Sequence, residues 1–371
     1  MDFSLEEQHE DLRTLTAGLL AREATVERLV AHELSKAPYD STTWKAMAQA
    51  GLLGLVLPED EGGQGFGALE LAVVLTEVGR RAAPVPALAC LALGALPVAR
   101  YGTAAQRAAL LPGVASGDAL LTAAVREPDG AAPALASATD GGYRLDGVKV
   151  GVPYAAVAAR ILVPATTPDG VGVFLVDPAA DGVTLTPSHT SDGQPESRLG
   201  LAGVRVEADA LLGDVADGAA ARFLADHAAA ALCAVGVGVL EEALRLTTEH
   251  LRTREQFGRP LGTFQAAAGE IADVYIATQA LQAATRSACW RLATGRDARG
   301  HLGVAGYWLA HHGARALNTC QHLHGGIGVD ITYPLHRYFS LSRYLGQSLG
   351  GASQQLDQLG ALVGDGTGEV A

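Results

Sequence analysis

Two clusters of residues in this sequence have types and spacing suited to chemistry. The first is Arg252-Thr253-Arg254-Glu255-Gln256-Phe257-Gly258-Arg259-Pro260, followed by Phe264-Gln265. It sets planar guanidinium donors, which suit an anionic group, beside amide side chains and aromatic rings. The second is Gln321-His322-Leu323-His324-Gly325-Gly326-Ile327-Gly328, then Tyr333-Pro334. Adjacent glycines there allow backbone amides to approach a ligand closely. A third stretch, Pro58 to Gly65, is rich in glycine and acid, and Asp226 beside His227 is the one candidate acid–base pair. Metal chemistry is not indicated. The 11 histidines are scattered, His311-His312 lack the i, i+4 spacing of a zinc pair, and Cys90, Cys233, Cys289 and Cys320 form no CxxC motif. The expectation is free, buried thiols and no metal site.

Folded elements must position these groups, and composition bounds what those elements can be. The chain has 371 residues, 49% of them hydrophobic, enough for two or three domains with real cores. Its 40 acidic against 27 basic residues give a formal charge of −13, which repels polyphosphate and excludes nucleic acid as the main partner. The 69 alanines and three lysines are accounted for by a GC-rich coding bias. The longest apolar stretches, Ala87 to Ala99 and Ala228 to Leu240, fall short of the roughly 20 residues a bilayer crossing needs. The N-terminus is acidic, with no apolar signal core, so the expected location is cytoplasmic, with no membrane partner.

Patterning then divides the chain. From Ser4 to about Ser116 it is helical: Ser4 and Glu7 form a possible capping box, and Leu12, Leu15, Leu19 and Leu20 recur at helical spacing. A helix around Trp44 and another from Leu69 to Arg80 follow. Between Leu120 and Gly218 the pattern becomes β. Tyr143 to Val150 reads as two strands joined by an Asp146-Gly147 turn, with further strands at Val171 to Val176, Gly182 to Thr186 and Gly203 to Glu207. From Ala219 onward the chain returns to long helices, at Ala219 to Thr253, Thr263 to Thr294, Ala298 to Leu323 and after Pro334, in segments that favour a bundle. The expected fold is therefore α+β and multi-domain: an N-terminal helical domain (1–118), a middle β-barrel-like or β-sandwich domain (119–217), and a C-terminal four-helix bundle (218–371).

That layout, with the motifs above, resembles the acyl-CoA dehydrogenase family. The first cluster matches its RxQFGxP...FQ signature, Pro58 to Gly65 its "PEEYGGxG" loop, and the second cluster its "QxxGGxG...YP" loop, in the right order along most of the chain. The resemblance implies a flavoprotein with FAD bound between subunits. It implies that Arg254, Gln256, Phe257 and Gln265, together with Gln321, His322, Gly325 and Gly326, reach a neighbouring subunit's FAD. Counting back from the glycine pair puts His322 where the family has Gln, with Gln321 one residue out of register.

Elsewhere the sequence departs from the family. The reaction the family implies removes an α-proton from an acyl-CoA with a carboxylate base. Counting from Tyr333-Pro334 to the "YEGT" position of that glutamate reaches Leu349, and no Asp or Glu occurs from Ile331 to Leu356. The alternative position, counted back from Arg254, falls on Ala228 and Ala229. Asp226 is the nearest acid and only a weak candidate. The family's "TExxxGSD" segment is replaced by Val125-Arg126-Glu127-Pro128-Asp129-Gly130, and its "WITN" segment by Gly151-Val152-Pro153-Tyr154.

The losses are selective, since groups lining this chain's own flavin ring and base are missing while groups reaching a neighbour's FAD remain. This resembles the chain without the base in actinobacterial heterotetrameric (α2β2) acyl-CoA dehydrogenases acting on steroid side-chain CoA thioesters. The resemblance implies a homologous catalytic partner chain, an acyl-CoA substrate and electron-transfer flavoprotein as acceptor. Two alternatives stand beside it: a self-sufficient flavoenzyme using Asp226 or His227, and a non-catalytic scaffold that keeps only the bundle.

Overall fold

The helical spacing of Leu12, Leu19 and Leu20 is realised in the first helix, α1 (Glu7–Glu23), which buries all three while Leu15 stays exposed. The computed structural model describes residues 6–364, so Ser4 of the expected capping box lies outside the described residues. Helices α2 (Val26–Leu34), α3 (Ser41–Gln49) and α4 (Ala68–Arg81) follow. The start of α3 is fixed by Asp40, whose carboxylate accepts the Thr42 and Thr43 N–H groups at 3.0 and 3.1 Å. A π-helical turn at Leu88–Ala95 runs into α5 (Leu96–Tyr101), and α6 (Ala104–Ala115) is opened by a Thr103/Gln106 capping box.

The β stretch supplies β1 (Leu121–Ala123), β2 (Leu135–Thr139), β3 (Gly142–Pro153), β4 (Arg160–Thr167), β5 (Gly170–Val176), β6 (Val183–His189) and β7 (Pro195–Glu207). They form one curled sheet in the order β1-β4-β2-β3-β7-β6, with β5 pairing β4. Its inner face buries Leu145, Val152, Ile161, Val163, Phe174, Leu199 and Val204. The expected hairpin at Asp146-Gly147 does not form, because β3 runs straight through those residues. The Asp146 carboxylate is spent across the ladder, accepting the Gly203 N–H at 2.7 Å, and the irregularity becomes a bulge at Leu145/Asp146. Gly147 takes φ +149° where a Cβ would lie 2.8 Å from Ala134, so the glycine serves close strand contact rather than a turn.

The rest is helical: α7 (Ala219–Thr253), the two-residue strands β8 (Glu255–Gln256) and β9 (Arg259–Pro260), α8 (Gln265–Ala293), α9 (Arg299–Tyr307), α10 (Ala314–His324), α11 (Leu335–Ser348) and α12 (Gly351–Gly364). The helix expected to run unbroken from Ala298 to Leu323 is interrupted by a π-helical turn at Trp308–Gly313.

The described residues divide into two compact units, each assembled from separate segments: 6–34, 68–83 and 229–364 in one, 35–67 and 84–228 in the other. Within the first, α4 and α7 cross in direct backbone contact. A Cβ on Gly79 would lie 2.1 Å from the Val235 carbonyl oxygen, and one on Gly238 would lie 1.9 Å from that of Thr76. The Thr76 hydroxyl bridges the crossing by donating to Ala234 O at 3.1 Å. Helix α7 is long and apolar enough to cross a membrane, but 78% of its apolar window is buried in the structure, as in a core helix.

Candidate functional site

The first chemical cluster begins where α7 ends. Arg254 donates its N–H to His250 O at 2.9 Å and accepts from Leu261 N–H at 2.8 Å, closing a small hairpin. Strands β8 and β9 pair Gln256 with Arg259, leaving Phe257 and Gly258 as a two-residue turn with φ of 53° and 75°. Positive φ at both positions is the type I′ geometry that favours Asn-Gly. Phe257 is nevertheless there, 93% exposed. Arg254 and Gln256 are exposed beside it. Phe264 steadies the hairpin through an edge contact to Phe257 at 6.3 Å and beneath the Arg259 guanidinium at 4.1 Å. Gln265 is the first residue of α8 and is exposed.

The second cluster begins in the last turn of α10. Gln321 is half-buried, with its amide 3.4 Å from Gly328 O, whereas His322 is exposed on the same turn. Gly325 ends the helix at φ 61°, ψ −142°, a conformation open essentially to glycine alone. Gly326 follows, exposed, and a Cβ there would meet nothing within 4 Å. Gly328 differs, since its Cβ would lie 2.8 Å from Gln321 O. The loop therefore has an internal reason for glycine at 325 and 328, and none at 326.

Two residues that sequence reading gave no role join these segments. His250, four residues before Arg254, stacks on His324, directly before Gly325, with ring centroids 4.4 Å apart and planes 22° apart. His324 also contacts Cys320 O at 2.8 Å and the Tyr333 hydroxyl at 3.0 Å. Burial pushes both imidazoles below the usual histidine range; His250 is pushed further by His324 and Arg254. The hairpin and the glycine loop are thus tied behind their exposed faces. Arg254, Gln256, Phe257, His322, Gly325 and Gly326 are all exposed.

The third motif is explained from within. Gly62 takes φ +79° and a Cβ on Gly63 would lie 2.1 Å from Leu57 O, so this loop needs its glycines to pack on itself.

In the other unit, the segments compared with the family's own flavin-lining residues hold a different set of groups. Lys149 is 1% exposed and forms an ion pair with Glu127. Val150 N–H donates to Arg126 O at 2.9 Å. At Gly151 (φ +67°) a Cβ would come within 3.7 Å of the Glu196 carboxylate, whose proton affinity burial raises, against the opposing pull of Arg126. Pro153 O accepts the Thr122 hydroxyl at 2.7 Å. An ion pair and a carboxylate stand along this strand rather than an indole and a hydroxyl.

The positions counted for the base are apolar in structure as in sequence. Leu349 is buried as the C-cap of α11, Ala228 is buried and Ala229 half-buried. Asp226 is half-buried and already engaged by a polar or electrostatic contact. His227 is buried, stacks on Phe223 with centroids 3.8 Å apart, and places Nδ1 2.8 Å from Phe223 O. The carbonyl can only accept, so Nδ1 carries the proton.

Comparison with known proteins bears on these features. Residues 6–118 match the N-terminal domain of acyl-CoA dehydrogenases and residues 218–361 their C-terminal domain. Acyl-CoA dehydrogenase FadE28 of Mycobacterium tuberculosis is 43% identical over 319 residues, covering 86% of this chain and 91% of its own. FadE27 of the same organism is 36% identical over 370 residues, covering 97% and 98%. Among solved structures, a chain of the ChsE4-ChsE5 complex from Mycobacterium tuberculosis superposes with a TM-score of 0.94 at 36% identity, covering 98% of this chain and 99% of that one. A chain of the Tcur3481-Tcur3483 steroid ACAD gives 0.90 at 40% identity, covering 97% and 98%. The helical N-terminal segment, curled sheet and C-terminal helices agree with these matches, and the chain belongs to the acyl-CoA dehydrogenase family.

Proposed function

We propose that this chain is the subunit of a heteromeric acyl-CoA dehydrogenase that completes the FAD site of a catalytic partner, without supplying a base of its own. The observation that carries this reading is a contrast between two sets of positions. Groups that face outward, the Arg254 hairpin and the Gly325-Gly326 loop, keep the family's residues although Phe257 is 93% exposed, with only an edge contact to Phe264, and nothing in the chain requires a glycine at 326. Groups that would serve the chain's own flavin and base are replaced by the Lys149–Glu127 pair, Gly151 and buried Leu349. Loss without selection would remove both sets.

The outward residues fit part of a dinucleotide. Arg254 offers fixed, charged donors to a pyrophosphate, and the open backbone at Gly326 leaves room for close approach. His322, rather than Gln321, faces outward and takes the polar contact, because the Gln321 amide points back to Gly328 O. Phe257, Gln256 and Gln265 flank the same face. FAD held there would supply the acceptor for the β-hydride of the acyl-CoA. This chain's residues hold and orient it, while the partner chain supplies the carboxylate that takes the α-proton. A homologous partner is supported by the heteromeric ChsE4-ChsE5 neighbour, and a steroid side-chain CoA thioester by the steroid ACAD neighbour. Electron-transfer flavoprotein is the proposed acceptor and a cytoplasmic location the proposed setting.

Co-expression with a homologous acyl-CoA dehydrogenase chain that carries the base tests the reading. The expected product is a yellow complex with one FAD per two different chains and dehydrogenase activity that neither chain has alone. A colourless, inactive complex would refute it.

A further inference from the structure

His250 and His324 contact no flavin in the reading above, yet they lie behind both segments that do. The partners of His324 fix its tautomer. Cys320 O can only accept, so Nδ1 carries the proton and the neutral ring's Nε2 accepts from the Tyr333 hydroxyl. The neutral ring thus clamps the end of α10 to the loop that carries Tyr333, while its face rests on His250 of α7. The groups facing the pair leave an added proton uncompensated. Arg254 lies beyond the end of α7 and acts on His250, and Arg245 acts on Tyr333. Thr247 backs Cys320, whose thiol burial pushes up to about 11. Glu249 is exposed and lies 3.7 Å from Arg252. The buried residues in the first half of α8, which packs against α10, are Val274, Ala277, Thr278 and Leu281, none of them titratable near neutral pH.

We propose that the His250–His324 stack is a positioning device which, when neutral, holds the end of α7 that leads into the Arg254 hairpin on the end of α10 that leads into the Gly325-Gly326 loop and, when protonated, releases them. The consequence for flavin rests on the partner-site reading above; the release itself does not. The sign follows from burial, which lowers the proton affinity of both rings below their ordinary 6.5. Opened rings bind protons that stacked rings resist, so the contribution is complete above about 6.5 and is lost as the pH falls below it.

Hydrogen exchange on the full chain tests the device. Protection factors for amides of 255–262 and 325–333 should fall between pH 7.5 and 5.5, while those of α4 stay constant. His250→Phe keeps a stacked ring and leaves only His324 to titrate, so the loss of protection between pH 7.5 and 5.5 should be smaller than in the wild type. His250→Arg places a permanent cation over His324 and should lower protection already at pH 7.5. Unchanged wild-type protection, a wild-type pH response in His250→Phe, or a protected loop in His250→Arg at pH 7.5 would each overturn the proposal. Flavin content of the co-purified complex, read in the same buffers, separates the two claims. A complex lacking flavin at every pH refutes the partner-site reading, and the exchange result still decides the device.

Discussion

Phe257 holds a left-handed backbone conformation that costs a residue with a Cβ about 1 kcal/mol, and its ring covers almost nothing in this chain. Phe257→Asn, better suited to that turn, should leave the thermal midpoint unchanged or slightly raised while weakening flavin binding in the partner complex at least about tenfold. Gly326→Ala should behave alike: the chain has space for the methyl group, so stability holds or gains about 0.5 kcal/mol, and flavin affinity falls. Equal flavin retention in both variants would remove the argument from outward-facing residues. The Lys149–Glu127 pair makes a different prediction. Glu127→Ala strands a cation in a 1% exposed site and should cost about 3–5 kcal/mol, whereas Lys149→Met leaves a carboxylate that water still reaches and should cost about 1 kcal/mol. Because burial holds the Lys149 ammonium below its ordinary 10.5, the deficit of Glu127→Ala should shrink as the pH is raised toward that value. Denaturant titration of both variants at pH 7 and pH 9.5 reads the order and the sign. At this scale the sequence named Arg254, Gly325 and their neighbours because motifs are local. It missed His250 and His324 because stacking joins residues far apart in the chain, and no local spacing announces it.

Elements were legible where one period dominates. The spacing that predicts a helix from Ala219 to Thr253 meets a helix with those bounds, and Leu69 to Arg80 lies within α4. They were misread where a side chain spends its hydrogen bond across a sheet. Asp146-Gly147 has turn chemistry, but the Asp146 carboxylate satisfies Gly203 N–H on β7 and the strand continues. The π-helical turn at Trp308–Gly313 leaves the composition helical and shifts only the hydrogen bonding, so periodicity passes over it. The α4–α7 crossing depends on glycines whose role appears only in space. Gly238→Ala would drive a methyl group into Thr76 O and should destabilise the fold by at least about 1–3 kcal/mol, seen as a lower denaturant midpoint with an unchanged slope. A midpoint equal to wild type would mean the helices part at no cost.

For the whole molecule, the surplus of acid that excludes nucleic acid matters most for where it is absent. Forty carboxylate residues are spread along the chain, yet α11, the segment that precedes the family's base position, has none, and the position itself is a buried leucine. On the proposed reading, a chain that presents contacts to a neighbour and has no acid at the base position is completed by assembly with a partner. Flavin stoichiometry tests that most directly. The chain purified alone and the chain co-purified with its partner are each denatured, and released FAD is measured per polypeptide. The account predicts no FAD for the chain alone and one FAD per pair of different chains in the complex. One FAD per chain in the isolated protein would contradict it.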